Sequence, residues 1–173
     1  KGHTEAARIG NRLAAAVKRA FKTAQKETPL LGAAAKTIKV PLQGFTNEEI
    51  GKAEEDLNKV GTRGLPFLKQ VHAYKICAIK ARKSAHIPLE VQVFRFSSDT
   101  ALVGLPGEVF VDLGQYIKKH SPFKTTFVVE LCNDAPGYIP TAKAFKEGSY
   151  ETVNSRIQPG GGERMAQTAV ELL

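Results

Sequence analysis

Three oxygen-bearing side chains in the second half of the chain have the setting that chemistry needs. Glu108 follows an apolar segment and the turn Pro106-Gly107, and it stands immediately before a helix-like stretch. Carboxylates at strand ends of open α/β sheets tend to face the ligand crevice. A glutamate at a helix start is also favoured by the helix dipole, so its position leaves both readings open. Tyr138 closes the run Cys132-Asn133-Asp134-Ala135-Pro136-Gly137-Tyr138, again directly after a strand-like apolar segment. Two strand ends then offer a carboxylate and a phenol to one edge of a sheet, although a tyrosine after Pro-Gly also serves plain packing. Tyr150 follows in a second loop.

Other reactive residue types form no such set. His3, His72, His86 and His120 are scattered, without an HxH or HExxH spacing, and none is taken as a metal ligand. The glycines Gly160, Gly161 and Gly162 lack the Lys-Ser/Thr and the strand–GxxxxGK–helix setting of a phosphate loop, and read as a helix-initiating loop. There is no GxSxG nucleophile elbow. Two cysteines, Cys77 and Cys132, exclude a disulfide scaffold and a cysteine-only zinc site, and leave the redox compartment open.

A chain of 173 residues suits one domain with a core of its own. With 42% hydrophobic and 24% charged residues, intrinsic disorder is excluded. No apolar run approaches the roughly 18 residues of a membrane span, and the first residues contain no secretory h-region. The sequence opens on Lys1 rather than Met, which suggests a processed, trimmed or excised piece. The net charge of +8 is uneven: residues 1–90 hold 17 basic and 8 acidic side chains, residues 91–173 hold 8 and 9. A basic half invites a nucleic-acid or anionic-surface partner. However, Lys69, Lys75, Lys80, Arg82 and Lys83 alternate with apolar residues, as on the solvated face of an amphipathic helix. With no zinc-finger spacing and no RNP-like aromatic motif, nucleic acid is not expected as a partner. An anionic membrane surface stays open as one, although no amphipathic anchor is evident.

The elements that must position these residues alternate between helix and strand. Ile9, Leu13, Val17 and Phe21 predict a helix over 4–22 capped by Thr4. Lys36 to Leu42 reads as a strand. Thr46 and Glu49 form a capping box for a helix over 47–60, and a second helix runs from about Pro66 to Lys83. Leu89 to Phe96 and Ala101 to Leu105 predict paired strands turning at Ser98-Asp99. A short helix carries Val109, Leu113 and Tyr116/Ile117 on one face. Thr125 to Leu131 is a nearly continuous apolar run, as in a buried strand. Residues 133–162 are loop-rich, and 163–173 form a closing helix. The expected fold class is α/β, a mixed sheet flanked by helices, in one unit.

At these residues the sequence resembles the neutral/alkaline (non-lysosomal) ceramidase family, its bacterial type in particular. The matching stretches are Leu105-Pro106-Gly107-Glu108, Glu130-Leu131-Cys132-Asn133, Gly137-Tyr138-Ile139-Pro140-Thr141 and Phe145-Lys146-Glu147-Gly148-Ser149-Tyr150-Glu151. The opening His3 to Gly10 resembles the helix after the family's nucleophile segment, and the glycine run near Pro159 falls where the family has a loop before the last helix of its catalytic domain. The resemblance is specific over 101–163 and loose over 23–90.

It implies a zinc-dependent amide hydrolase that cleaves N-acyl sphingolipid amides into fatty acid and amine, in a secreted or periplasmic location. Family zinc is held by two histidines, a glutamate and a tyrosine. Glu108 matches the glutamate, Tyr138 the tyrosine, and Tyr150 a second tyrosine near the scissile amide. Zinc accepts a carboxylate oxygen readily. A phenol needs a cation beside it to become an anionic ligand. The metal would act as a Lewis acid on the amide carbonyl, and Tyr150 would donate a hydrogen bond to the developing oxyanion. The family's zinc histidines and its nucleophile serine lie upstream of the matched region and have no counterpart here. The expectation is therefore that residues 1–173 form the C-terminal part of a larger catalytic domain. Its partners would be the rest of that domain and an N-acyl lipid or other amide, and it would be inactive alone. A non-catalytic relative that serves as a binding or scaffold module is the alternative.

Overall fold

The computed structural model describes residues 2–26 and 28–173. Four strands form one mixed sheet: β1 (Gly32–Pro41), β2 (His86–Arg95), β3 (Thr100–Gly104) and β5 (Thr125–Val129), in the order β1-β2-β3-β5. The first three are antiparallel, and β5 runs parallel to β3. A parallel neighbour needs a crossover, and α4 (Val111–His120) provides it. The expected α/β class with a mixed sheet is what the chain adopts.

One sheet face carries the core. Alternation brings Ile38 and Val40 of β1, Leu89, Val91 and Val93 of β2, and Val103 of β3 to one side, all buried. Against them pack Leu113 and Ile117 of α4 and Met165, Ala166 and Ala169 of α7 (Gly161–Leu172). The helix α7 begins two residues earlier than the sequence suggests, because Gly160 is its left-handed cap at φ 90° and the next two glycines are its first turn. They have a packing role: a Cβ on Gly162 would stand 2.7 Å from both the Pro140 carbonyl oxygen and Leu113 Cδ1. On α4, Val109 falls before the helix and Tyr116 points outward against His120, so only Leu113 and Ile117 keep the expected inner face.

The opposite sheet face carries an exposed apolar row beside polar residues such as Thr37, Glu90 and Gln92. Phe94, Leu102 and Phe127 stand in register across three strands, and Phe127 is 54% exposed. The run from Thr125 is thus not a fully buried strand. As the sheet edge, β5 turns Thr126 and Val128 inward and Phe127 and Val129 outward, and it ends before Leu131.

Two strands extend beyond their sequence signals. β1 includes the alanines 33–35, a residue type with little strand preference, because pairing with Gln92, Val93 and Phe94 holds them. β2 tolerates Pro88 because β3 pairs only with Gln92–Arg95, so at Pro88 the strand has β1 alone as neighbour.

Between β1 and β2 lies a helical pair, α2 (Asn47–Leu57) and α3 (Phe67–Lys80). Thr46 and Glu49 form the expected capping box, with Glu49 N donating to Thr46 Oγ1 (3.2 Å) and Thr46 N to Glu49 Oε2 (2.7 Å). Ala53, Ala73 and Ile76 make its small core, with Phe45 and Ile50 packed on it. Lys75 departs from the expected solvated face. It is only 5% exposed, donates to Gln43 Oε1 (3.1 Å) and lies 5.3 Å from the Phe45 ring centre. Burial lowers its pKa to about 8, against a partial opposing pull from Glu49.

The first helix, α1 (Gly2–Thr23), has no buried residue. Thr4 lies within it rather than capping it. Ile9, Leu13, Val17 and Phe21 form an exposed stripe, Phe21 at 82%, with Arg8, Arg12, Arg19 and Lys22 on the opposite side. An exposed basic amphipathic helix is therefore present, contrary to the sequence reading. Among the described residues no helix is long and apolar enough to cross a membrane.

Candidate active site

Because β3 and β5 are parallel, the segments that leave them emerge at the same sheet edge. There they build a second, two-stranded parallel sheet from β4 (Glu108–Val109) and β6 (Tyr138–Ile139). Glu108 is paired in register with Tyr138, and Val109 with Ile139. Helix α4 starts only at Val111, with Phe110 as its cap and Asp112 as its first-turn acid. Glu108 is therefore a strand residue, and the helix-start reading of its carboxylate falls.

The backbone around the pair is tightly specified. Gly107 has φ 80°, and a Cβ there would lie 2.6 Å from the Gly137 carbonyl oxygen, so only glycine fits this crossing. Glu108 N donates to Gly137 O and Gly107 N to Asp134 O, each 3.0 Å. Glu130 Oε2 accepts from Val109 N at 2.7 Å. Arg156 Nη1 donates to Pro136 O and Ser155 Oγ to Tyr138 O, each 3.0 Å. Both loop walls of the site are thus tied down by hydrogen bonds from outside the pair.

Glu108 and Tyr138 are half-buried and interact through their side chains. The Glu108 carboxylate beside the Tyr138 hydroxyl is the main reason its phenol holds its proton above the usual range. Tyr150 joins them. Its ring packs edge-on against Tyr138, with centroids 5.7 Å apart, and stacks on Phe67 of α3 at 5.8 Å and 17°. It opens α6 (Tyr150–Asn154), the turn of helix that follows α5 (Ala142–Glu147), within the stretch the sequence reads as loop. Asn154 Nδ2 donates to the Tyr150 hydroxyl oxygen at 3.3 Å. The preceding Ser149 sits at φ 107°, ψ 176°, a region that side chains avoid at a cost of about 1–3 kcal/mol.

All three residues singled out in the sequence therefore share one site. Four that frame it were not singled out: Glu130, Phe67, Ser149 and Asn154. Phe67 is distant in sequence and carries no local signal. Asn154 stands four residues from Tyr150, which is a helical neighbour only once 150–154 is seen as helix. The histidines stay apart. His3, His86 and His120 are exposed, His120 Nδ1 donating to Tyr116 O (2.8 Å), and His72 lies beside Glu49, its pKa lowered chiefly by burial. Cys77 and Cys132 are both free.

Tested as a zinc site, the donor set is incomplete. Glu108 and Tyr138 are two oxygens, whereas catalytic zinc takes three protein ligands and an open position. Among the described residues no three His, Cys, Asp or Glu side chains come together in a metal-binding group. The group facing Tyr138 is a carboxylate, which disfavours the phenolate a metal would use.

The fold is of a ceramidase-like kind. Among solved structures the chain is similar to neutral ceramidase from Pseudomonas aeruginosa, with a TM-score of 0.50 and 15% identity, covering 82% of this chain and 28% of that one. A second, described as ceramidase complexed with C2, aligns at 12% identity and a TM-score of 0.46, covering 82% of this chain and 29% of that one. At these identities the likeness is one of fold. The chain spans less than a third of the length of either. No protein-family model and no curated protein matches it.

Proposed function

We propose that this chain is the C-terminal part of the catalytic domain of a zinc-dependent amide hydrolase of the neutral ceramidase type. Its reaction is cleavage of N-acyl sphingolipid or related amides into fatty acid and amine. The observation that carries the reading is the β4–β6 pairing, which sets a carboxylate and a phenol side by side with a second phenol against them. In this reading Glu108 and Tyr138 are two of the zinc ligands, and the remaining ligands and the nucleophile come from polypeptide outside residues 1–173. Zinc would supply Lewis acidity and an acidified oxygen nucleophile. This chain's own part is to hold two oxygens in fixed register and to present the Tyr150 hydroxyl to the charge that develops on the carbonyl oxygen.

The exposed apolar row with Phe94 and Phe127, and the stripe on α1, support the rest of the catalytic domain as the covering partner. Apolar patches of this kind mark interaction surfaces. The two-donor set favours a second reading, a binding or scaffold module on the same fold. The two are separated by elemental analysis of the intact polypeptide that carries this segment, in wild type and Glu108→Ala, with fatty-acid release from an N-acyl sphingoid base measured alongside. The expected result is bound zinc and activity, both lost in the variant, and no activity from residues 1–173 alone. An intact protein that binds no zinc, or keeps it in Glu108→Ala, overturns the hydrolase reading in favour of the binding module.

A further inference from the structure

The two tyrosines of the site are close neighbours, with ring centroids 5.7 Å apart. The Tyr150 oxygen has a partner of its own. The Asn154 side-chain N–H approaches it at 3.3 Å from one helical turn further along α6. A phenol has one proton and an oxygen that also accepts. When an amide N–H fills the acceptor side, the phenol proton must seek a partner elsewhere. The ring lies between the Phe67 face and the Tyr138 edge.

We infer that Asn154 is a positioning residue for Tyr150: its amide N–H occupies the phenol oxygen and turns the hydroxyl proton away from α6, leaving Tyr150 free to donate into the site. This rests on the reading of Tyr150 as an oxyanion donor and adds what orients it. The strained Ser149 backbone, directly before Tyr150, is a further sign that the start of α6 is held in place.

The inference is tested with Asn154→Asp, which keeps the side-chain shape but can only accept. The Asp carboxylate would draw the Tyr150 proton onto itself and remove the donor. In the isotope-labelled 173-residue chain, Tyr150→Phe is expected to move one of the two Asn154 side-chain amide proton resonances. No movement overturns the hydrogen bond, whatever the activity. In the intact protein acting on an N-acyl amide, Asn154→Asp is expected to lower kcat by about 10²-fold with little change in KM, as for a lost oxyanion donor. Tyr150→Phe should match it, and the double variant should lose no more. A kcat within about twofold of wild type for Asn154→Asp, against that 10²-fold expectation, overturns the positioning role. An intact wild type that cleaves no amide overturns the functional reading, while the resonance still decides the hydrogen bond.

Discussion

Lys75→Met should stabilise the chain near neutral pH, and the gain should vanish in alkali. The ammonium sits in a niche bounded by Gln43, the Phe45 ring and, from α2, Glu49, with His72 on its own helix. A folded-state pKa of about 8 against the ordinary 10.5 corresponds to about 3 kcal/mol of disfavoured charge at full weight. Screening by solvent at the niche rim, where Glu49 is exposed, reduces this to about 2 kcal/mol. The lost hydrogen bond to Gln43 and the lost contact of cation with ring return about 1 kcal/mol. The expected net gain at pH 7 is therefore about 1 kcal/mol. The sign follows from linkage. Between pH 8 and 10.5 the unfolded chain binds the Lys75 proton and the folded chain has released it, so wild-type stability rises with pH across that window. Urea unfolding of both proteins at pH 7 and pH 10.5 reads the difference directly, because the two titrations that the Lys75 charge influences, those of Glu49 and His72, are shifted downward and away from this window. A difference in stability that does not change between the two pH values would refute the buried-ammonium argument and restore Lys75 to a solvated helix face.

Two further substitutions probe how the site is built. Gly162→Ala should cost about 2–3 kcal/mol in thermal or urea unfolding, because its Cβ would meet the Pro140 carbonyl at 2.7 Å and backbone cannot yield as a side-chain tip can; a loss below about 0.5 kcal/mol would show that α7 shifts freely on the sheet. Glu108→Gln should bring the Tyr138 phenol back down toward its ordinary pKa of 10.0, because the carboxylate that raises it is gone. Tyrosinate absorbance titrations of wild type and variant would superimpose if Glu108 were not the cause.

Much of this architecture is legible in order along the chain. The capping box at Thr46 and Glu49 forms as its residues require, since both partners lie within one helical turn. The core strands around Leu89 and Val103 follow from alternation, and the mixed sheet from a helix between β3 and β5. Glu108, Tyr138 and Tyr150 stand out through the turns and strand ends beside them. Local sequence favours the helix-start alternative for Glu108, because a glutamate just ahead of a helix-like stretch suits the helix dipole and a two-residue strand leaves almost no pattern. Only the pairing with Tyr138, across thirty residues of chain, separates them.

What local sequence determines by itself is conformation decided within a turn or a strand: the caps, the alternation, the glycine at 107 and the amphipathic pattern of α1. Tertiary structure decides the rest, because burial belongs to the neighbours and not to the residue. Lys75 reads as solvated until Phe45 and Gln43 close over it. Phe127 reads as core until β5 proves to be the edge strand and leaves that ring exposed. Phe67 and Tyr150, 83 positions apart in the chain, become stacked partners only because α3 packs against α6. Side-chain chemistry at the candidate site is likewise a property of the fold. One phenol stands beside a carboxylate that raises its pKa and the other has its oxygen filled by an amide, and nothing in the two tyrosines themselves distinguishes them.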